Sequence, residues 1–348
     1  MSLCPNCGGQ TDEHDRCPTC MAAVSKVRRK KKSRKKFFLV ALALILVLGA
    51  TAAAAWYFRE QPVVFVAEDY DVTGACGSKI RWGFVEKTGT LTIIGEGELP
   101  AFERQQLEDQ TYVSTAPWTQ LPVSRVKIHG VTAVGAYAFL GSETLTQVKI
   151  ADGVALIEQN AFSGCDALAE VELGKDVITV EAGAFSYAIG LKQIRVDEDN
   201  RAYKAVDGVL FTKDGTVLVL YPCAVENDSY IIPEGVTTIG QNAMMFASAE
   251  SVQFPSTLTT LEYGACMYMP KLTAVELPEG VTDIGPWAFI ACEALEEVTI
   301  PDSVRTVGEN AFGLCSVLEE VYYGGSELQW QNSGFGAYFL QSEIHYNS

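Results

Sequence analysis

A dipeptide of Ala and Phe returns every 23 residues over much of the chain. It stands at Ala138-Phe139, Ala161-Phe162, Ala184-Phe185, Ala288-Phe289 and Ala311-Phe312, and degenerate copies stand at Ala243-Met244 and Ala265-Cys266. A fixed period of this length is the sequence signature of a solenoid, in which each repeat forms one coil of a stack. The period therefore predicts a repeat solenoid for this region.

One complete repeat reads LEEVTIPDSVRTVGENAFGLC, from Leu295 to Cys315. The alternation Val-x-Ile near its start favours a short strand with Val and Ile inward, and the later Val, Ile, Ala and Phe fill the rest of the coil. A single coil cannot bury its apolar side, whereas stacked neighbours can. We count nine coils in the sequence, which predicts a mainly β stack about 40 Å long.

One coil is stretched by an insertion at residues 197–229. Its segment VDGVLFTKDGTVLVLYP contains two runs of β-forming residues separated by Lys213-Asp214-Gly215, which is a hairpin signal. We expect a β-hairpin that projects from the solenoid.

Four cysteines near the N-terminus, Cys4, Cys7, Cys17 and Cys20, form two Cys-x-x-Cys pairs. Each pair offers two sulfurs from one tight turn, so residues 1–22 are predicted to form a zinc ribbon around a structural zinc ion. So short a segment cannot bury a core, and the metal would supply most of its folding free energy. The alternatives are a thioredoxin-like redox motif, which needs a βαβ context, and a rubredoxin-like iron site.

An uncharged apolar stretch at residues 37–58 follows a basic linker at residues 23–36. A helix over the apolar stretch would rise about 33 Å, enough to cross a bilayer core. Nine of the eleven residues from Lys26 to Lys36 are basic. The positive-inside bias therefore predicts a single-pass protein of the cell membrane with a cytoplasmic N-terminus and an extracellular C-terminal domain. The alternative is a secretory signal peptide cleaved near Ala50 to Ala54.

The 23-residue repeat, with its Ile-Pro-x-x-Val-x-x-Ile-Gly-x-x-Ala-Phe motif, resembles the BspA-like leucine-rich repeat family. The segment from Gly74 to Leu99 and the tripeptide Ala116-Pro117-Trp118 resemble that family's N-terminal cap, while VYYGGSELQW and the final IHYNS resemble its C-terminal cap. The resemblance implies a linker and cap at residues 59–122, a solenoid at residues 123–325 and a second cap at residues 326–348. Members of the family are mostly bacterial surface proteins, and some are credited with binding host matrix proteins or other cells, so the resemblance implies a surface protein with such a role.

The outward positions of the strands form two columns along the stack. Solenoids use such rigid, repeated surfaces to bind macromolecules, so we expect a protein or glycan ligand on a host or neighbouring cell surface. The alternative is that these positions are merely solvated, which their many Glu residues favour, and the columns contain no aromatic stripe for sugars. The candidate partner-binding residues are Gln147, Lys149, Glu170, Glu172, Gln193, Arg195, Gln253, Glu276, Glu297, Thr299, Glu320 and Tyr322.

The remaining cysteines number six, and three of them, Cys165, Cys292 and Cys315, occupy the same repeat position. A small apolar side chain fits the stack there, so we expect buried free thiols. Cys292 and Cys315 would be neighbours across two coils, and a disulfide between them is the alternative.

Other functions have less support in the sequence. The chain has three histidines, His14, His129 and His345, and no G-x-S-x-G or His-x-x-x-His motif, so we expect that it is not an enzyme. Residues 59–348 carry sixteen basic and forty acidic residues, which argues against nucleic-acid binding. The second functional hypothesis is a surface scaffold or signalling protein that couples the solenoid to a cytoplasmic partner of the zinc ribbon.

Overall fold

The computed structural model describes residues 64–339 and 342–347. The predicted zinc ribbon, the basic linker and the apolar stretch at residues 37–58 lie outside these residues. Within the part of the chain that is described, no helix is both long and apolar enough to span a bilayer.

The described residues form mostly short strands. In chain order these are β1 (Val72–Cys76), β2 (Ile80–Val85), β3 (Thr90–Leu99), β4 (Arg104–Gln106), β5 (Tyr112–Ser114), β6 (Arg125–Val134), β7 (Gln147–Ile150), β8 (Leu156–Ile157), β9 (Glu170–Leu173), β10 (Thr179–Val180), β11 (Gln193–Val196), β12 (Tyr203–Val206), β13 (Val209–Thr212), β14 (Val217–Leu220), β15 (Ser229–Ile231), β16 (Thr238–Ile239), β17 (Ser251–Gln253), β18 (Thr260–Leu261), β19 (Ala274–Glu276), β20 (Asp283–Ile284), β21 (Glu297–Ile300), β22 (Thr306–Val307), β23 (Glu320–Tyr323) and β24 (Glu343–Tyr346). The helices are α1 (Glu327–Ser333) and the 3-10 turns Ala67–Asp69, Glu86–Thr88 and Phe335–Tyr338.

Two parallel ladders carry the first strand of each coil. In the N-terminal half, β6, β7, β9 and β11 pair in register, so that Gln147, Glu170 and Gln193 lie side by side. In the C-terminal half, β15, β17, β19, β21, β23 and β24 pair in the same way. The nine coils expected from the sequence are present, and β24 adds a tenth strand to the stack.

A second, narrower ladder runs along another side of the stack. In the N-terminal half the end of β6 pairs with β8, and β8 pairs with β10. In the C-terminal half β14, β16, β18, β20 and β22 continue this arrangement. The two-residue strands β8, β16, β18 and β20 each bury one apolar side chain, such as Ile157, Ile239 or Ile284, while Val180 of β10 and Val307 of β22 are half-buried. The repeat motif therefore supplies two strands to each full coil.

The recurring Ala-Phe dipeptide links neighbouring coils through both its backbone and its side chain. The Phe139 N–H donates to the Ala161 carbonyl at 2.7 Å, and the Phe162 N–H donates to the Ala184 carbonyl at 2.8 Å. The ring centroids of Phe139 and Phe162 lie 5.0 Å apart, and those of Phe162 and Phe185 lie 5.2 Å apart. Because the period is constant over these three coils, each of these rings stacks on the equivalent ring of the neighbouring coil.

Caps cover both ends of the stack. At the N-terminal end β1, β2 and β3 form an antiparallel sheet, and β3 pairs in parallel with β6. The buried Trp118 indole N–H donates to the Ala138 carbonyl at 2.9 Å. At the other end, α1 begins with a capping box between Ser326 and Gln329. Its buried Trp330 packs on Tyr323 and thus covers the apolar end of the last coils.

The insertion forms the expected hairpin, but the hairpin does not project from the solenoid. Strands β12, β13 and β14 are antiparallel, and β14 pairs in parallel with β16. The reason is that β13 is apolar on both faces: Leu210 belongs to the buried cluster of the N-terminal half, whereas Val209 and Phe211 belong to that of the C-terminal half. Successive strand side chains point to opposite faces, so β13 separates two hydrophobic cores.

Candidate functional site: the front face of the solenoid

The front face is the surface formed by the outward side chains of the two main ladders. All twelve candidate binding residues lie on it, and none of them is buried. The inward neighbours, such as Val148, Val171 and Val298, are fully buried. This alternation holds because successive residues of a strand point to opposite sides.

In the N-terminal half, the front-face side chains form a closed polar network around Glu170. The Gln147 and Gln193 amides donate to the Glu170 carboxylate at 3.0 and 3.3 Å. Arg195 pairs with the same carboxylate at 2.6 Å. Lys149 and Arg195 lie 3.5 and 3.8 Å from the Glu172 carboxylate. Every charge at these positions therefore has an opposite charge beside it.

A groove of about 530 Å³ borders this network. Three of the candidate residues, Lys149, Glu172 and Arg195, line it. Its other charged lining residues are the ion pair of Lys175 with Asp152, and Asp197. The groove thus offers cations and carboxylates in alternation over a rigid parallel sheet.

In the C-terminal half, the front face is acidic. Glu297, Glu320 and Glu343 lie side by side in neighbouring strands, and β21, β23 and β24 contain no Lys or Arg. The Tyr322 ring stacks on the His345 ring with centroids 4.7 Å apart. Partial desolvation and the nearby carboxylates Glu320, Glu297 and Glu343 raise the pKa of Tyr322.

One imidazole lies among these carboxylates. The His345 Nε2 atom is in close contact with a Glu320 carboxylate oxygen. One ligand atom each of Glu320, Glu343 and His345 lie within 4.8 Å of one another. The side chains of Glu320 and His345 are each 39% exposed, so solvent reaches the cluster.

The columns are not continuous from one half to the other. Strand β11 ends the first ladder and β15 begins the second. The β12–β13 turn lies between them, and the Ile194 N–H donates to the Gly208 carbonyl at 2.9 Å. Ile231, at the start of the second ladder, is 65% exposed. The single surface expected from the sequence is therefore two surfaces.

A cleft of about 240 Å³ lies at the same junction, on the side of the turns. Leu218 of the inserted coil pairs with Ile239 of the next coil, and the N–H groups of Tyr221 and Met244 make equivalent bonds to the coil that follows each of them. Tyr221 follows Leu218 by three residues and Met244 follows Ile239 by five, so the turn of the inserted coil is two residues shorter. The shortening leaves a gap in the row of turns. Its lining includes the apolar Val217, Leu220 and Met245 and the carboxylates Glu181 and Glu262.

Glu343 and His345 were missed in the sequence. They follow Glu320 and Tyr322 by 23 residues, so the repeat period was the signal that could have found them. A row of Tyr187, Phe246 and Tyr268 was missed as well: the ring centroids lie 5.4 and 5.1 Å apart, the first pair being tilted and the second stacked. These aromatic residues lie on the turns rather than on the strand columns.

The six cysteines among the described residues are free thiols, five of them in the repeats and Cys76 in the N-terminal cap. At their shared repeat position, Cys165 donates to the Phe139 carbonyl at 3.2 Å and Cys292 donates to the Cys266 carbonyl at 3.3 Å, each in the preceding coil. Burial raises the pKa of Cys165 and that of Cys292 to about 12. The thiols therefore stay protonated at neutral pH, and Cys292 forms no disulfide with Cys315.

Comparison with known proteins identifies the repeats. The sequence matches the family described as BspA type leucine-rich repeat region in six copies, over residues 119–205 and 220–338. No curated protein matches the chain.

Several solved structures are similar to this one. A leucine-rich repeat protein from Eubacterium ventriosum is 22% identical, with 72% of this chain and 84% of that chain covered and a TM-score of 0.48. A leucine-rich cell surface protein from Faecalibacterium prausnitzii is 20% identical, with coverages of 78% and 97% and a TM-score of 0.34. The pneumococcal vaccine antigen PcpA is 16% identical, with coverages of 80% and 99% and a TM-score of 0.44.

The family match spans more than half of the 348 residues, and its repeats coincide with the coils of the solenoid. This chain therefore belongs to the BspA-type leucine-rich repeat family.

Proposed function

We propose that the chain is a membrane-anchored cell-surface protein that binds a macromolecular partner through the front face of its solenoid. The partner is a protein or glycan on a host or neighbouring cell, and no catalysis is assigned to the chain. The basic linker and apolar stretch that precede the described residues support the anchor. Membership of a family with surface proteins among its members supports the location.

The groove of the N-terminal half carries the proposal. It joins Lys149, Glu172 and Arg195 in one concave surface of about 530 Å³ on a rigid sheet. Because the strands are in register, these side chains keep fixed spacings and lose little conformational freedom on binding. Alternating charges of this kind select a partner with the complementary pattern rather than any charged polymer.

The test is a binding screen of the purified full-length chain in detergent against host matrix proteins, glycans and bacterial surface fractions. The double variant Lys149→Glu and Arg195→Glu replaces both cations of the network and places new negative charges beside Glu170 and Glu172. We expect saturable binding by the wild-type chain and a loss of about tenfold or more in affinity for the double variant, since breaking charged interface pairs costs about 2 kcal/mol or more.

The matched control is the double variant Lys271→Glu and Arg305→Glu, which makes the same charge change at two exposed positions away from the front face. Equal binding by the wild-type chain and both double variants would place the interface elsewhere. Absence of binding in every arm would shift the assignment to the scaffold or signalling hypothesis, in which the zinc ribbon makes the functional contact.

A further inference from the structure

The register of the C-terminal ladder forces like charges together. Strands β21, β23 and β24 pair so that Glu297, Glu320 and Glu343 occupy equivalent positions. Neighbouring strands lie about 4.8 Å apart, and like charges placed opposite each other are destabilising. The N-terminal half solves the same problem at Glu170 with two amides and Arg195. The acidic strands have no such cation of their own.

The His345 imidazole lies next to these carboxylates, at the place that Arg195 takes beside Glu170 in the N-terminal half. His345 occupies the second outward position of β24, beside Tyr322 of β23. The Tyr322 ring is stacked on it at 4.7 Å with an interplanar angle of 17°, which restricts the rotation of the imidazole. Its Nε2 atom faces the Glu320 carboxylate. One nitrogen and two carboxylate oxygens therefore converge from two adjacent strands.

We propose that Glu320, Glu343 and His345 bind a divalent transition-metal ion, with Zn²⁺ as the reference ion. Imidazole and carboxylate are ligands that zinc accepts, at distances of about 2.0–2.2 Å. Tetrahedral ligands at such distances lie about 3.4 Å from one another. The three ligand atoms lie within 4.8 Å, so small rotations of partly exposed side chains bring them to the ion. Three protein ligands leave one position open to solvent or to a group of a bound partner.

The bound ion would join the last strand to the stack. Glu320 belongs to β23, whereas Glu343 and His345 belong to β24. Metal binding then neutralises the carboxylates and ties the C-terminal strand to the solenoid. This inference does not depend on the proposed function, because metal binding is measured on the isolated chain.

The experiment is a zinc titration of the full-length chain by isothermal calorimetry, repeated with Co²⁺ by absorption spectroscopy. The variants are His345→Ala and Glu343→Gln. The control is Glu319→Gln, which removes the same charge at an exposed residue outside the cluster. The two ions separate this site from the N-terminal cysteines, since thiolate ligands give Co²⁺ an intense charge-transfer band and nitrogen and oxygen ligands do not.

We expect one zinc equivalent that depends on His345 and whose cobalt form lacks the thiolate band. Its affinity should fall about tenfold or more in His345→Ala and in Glu343→Gln, as changes around metal ligands do, and stay unchanged in Glu319→Gln. Two outcomes would overturn the proposal and leave the contact of His345 with Glu320 as a simple ion pair. One is zinc binding that does not depend on His345, and the other is an equal loss of zinc affinity in Glu319→Gln and Glu343→Gln. Two separate ligand variants keep the test decisive should one of them disturb the fold.

Discussion

At the scale of single residues, one turn position holds its backbone in the left-handed region in seven of the coils. The N-terminal coils use glycine there, at Gly141 and Gly164, both with φ of 66°. Later coils place larger residues at the same position, namely Tyr187, Phe246, Tyr268, Ala291 and Leu314. A Cβ atom in this conformation costs about 1–2 kcal/mol. The aromatic residues offset that cost by packing on one another, whereas Leu314 is 73% exposed.

Leu314→Gly is therefore expected to stabilise the protein. Removing the side chain relieves the strain at φ of 60° and gives up little burial. Glycine has more freedom in the unfolded chain, which cancels about 0.5–1 kcal/mol, so the net gain is about 0.5–1 kcal/mol. Chemical denaturation measures it. The control is Val317→Gly, at an exposed residue without positive φ, which should lower the stability. A loss of stability in both variants would contradict the proposal that Leu314 is strained.

At the scale of elements, the insertion depends on a buried asparagine. Asn200 is 1% exposed and lies before β12. Its amide donates to the carbonyls of Gly174 and Val177 at 2.8 and 3.0 Å. Its carbonyl accepts from the N–H groups of Ala202 and Tyr203 at 2.9 and 2.7 Å. One side chain thus satisfies four backbone groups and joins the insertion to the preceding coil.

Asn200→Ala should cost about 3 kcal/mol or more, because buried polar groups left without partners cost about 1–3 kcal/mol each. The free energy of unfolding from denaturant titration measures this loss. Glu198→Ala, at an exposed neighbour, should stay within about 0.5 kcal/mol of the wild type. A small effect at Asn200 would mean that water replaces its hydrogen bonds.

The 23-residue period allowed the strands of the regular coils to be predicted, but not the roles of β13 and β24, which depart from the repeat motif. A constant spacing placed all twelve candidate residues on the front face, because in-register stacking repeats each side-chain direction. The position of β13 between two hydrophobic cores was not predicted. In the sequence, Leu210 and Phe211 are typical of any hairpin strand, and only the packing shows that each belongs to a different core. The cluster at His345 was missed because β24 lacks the Ala-Phe signal that marks a coil.

At the scale of the whole molecule, the described residues contain two large hydrophobic cores rather than one. The first extends from Ile80 to Leu210 and the second from Val209 to Phe339. In a solenoid each repeat contacts only its neighbours, so stability is a sum of local terms. The junction interrupts the main ladder between β11 and β15. Each half should therefore respond to its own substitutions.

Phe162→Ala and Phe289→Ala make the same truncation, the first in the N-terminal core and the second in the C-terminal core. Both side chains are fully buried and stacked on a neighbouring ring. Truncation of a buried Phe costs about 3–5 kcal/mol. Hydrogen exchange should then show earlier loss of protection over residues 126–173 in Phe162→Ala and over residues 252–300 in Phe289→Ala. Simultaneous loss over both ranges in both variants would show a single cooperative unit.

The shortened turn and the interrupted ladder also determine how the molecule carries tension. If one end of the chain is anchored and a partner holds its surface, as proposed, force acts along the stack. In the regular coils the strands of the front face are paired one to the next, whereas β11 and β15 are not paired at the junction, where bonds from Ile194 to Gly208 and from Ala224 to Leu191 connect the chain. Extension would therefore start at this junction. The N-terminal and C-terminal halves would keep their shape while the distance between them grows.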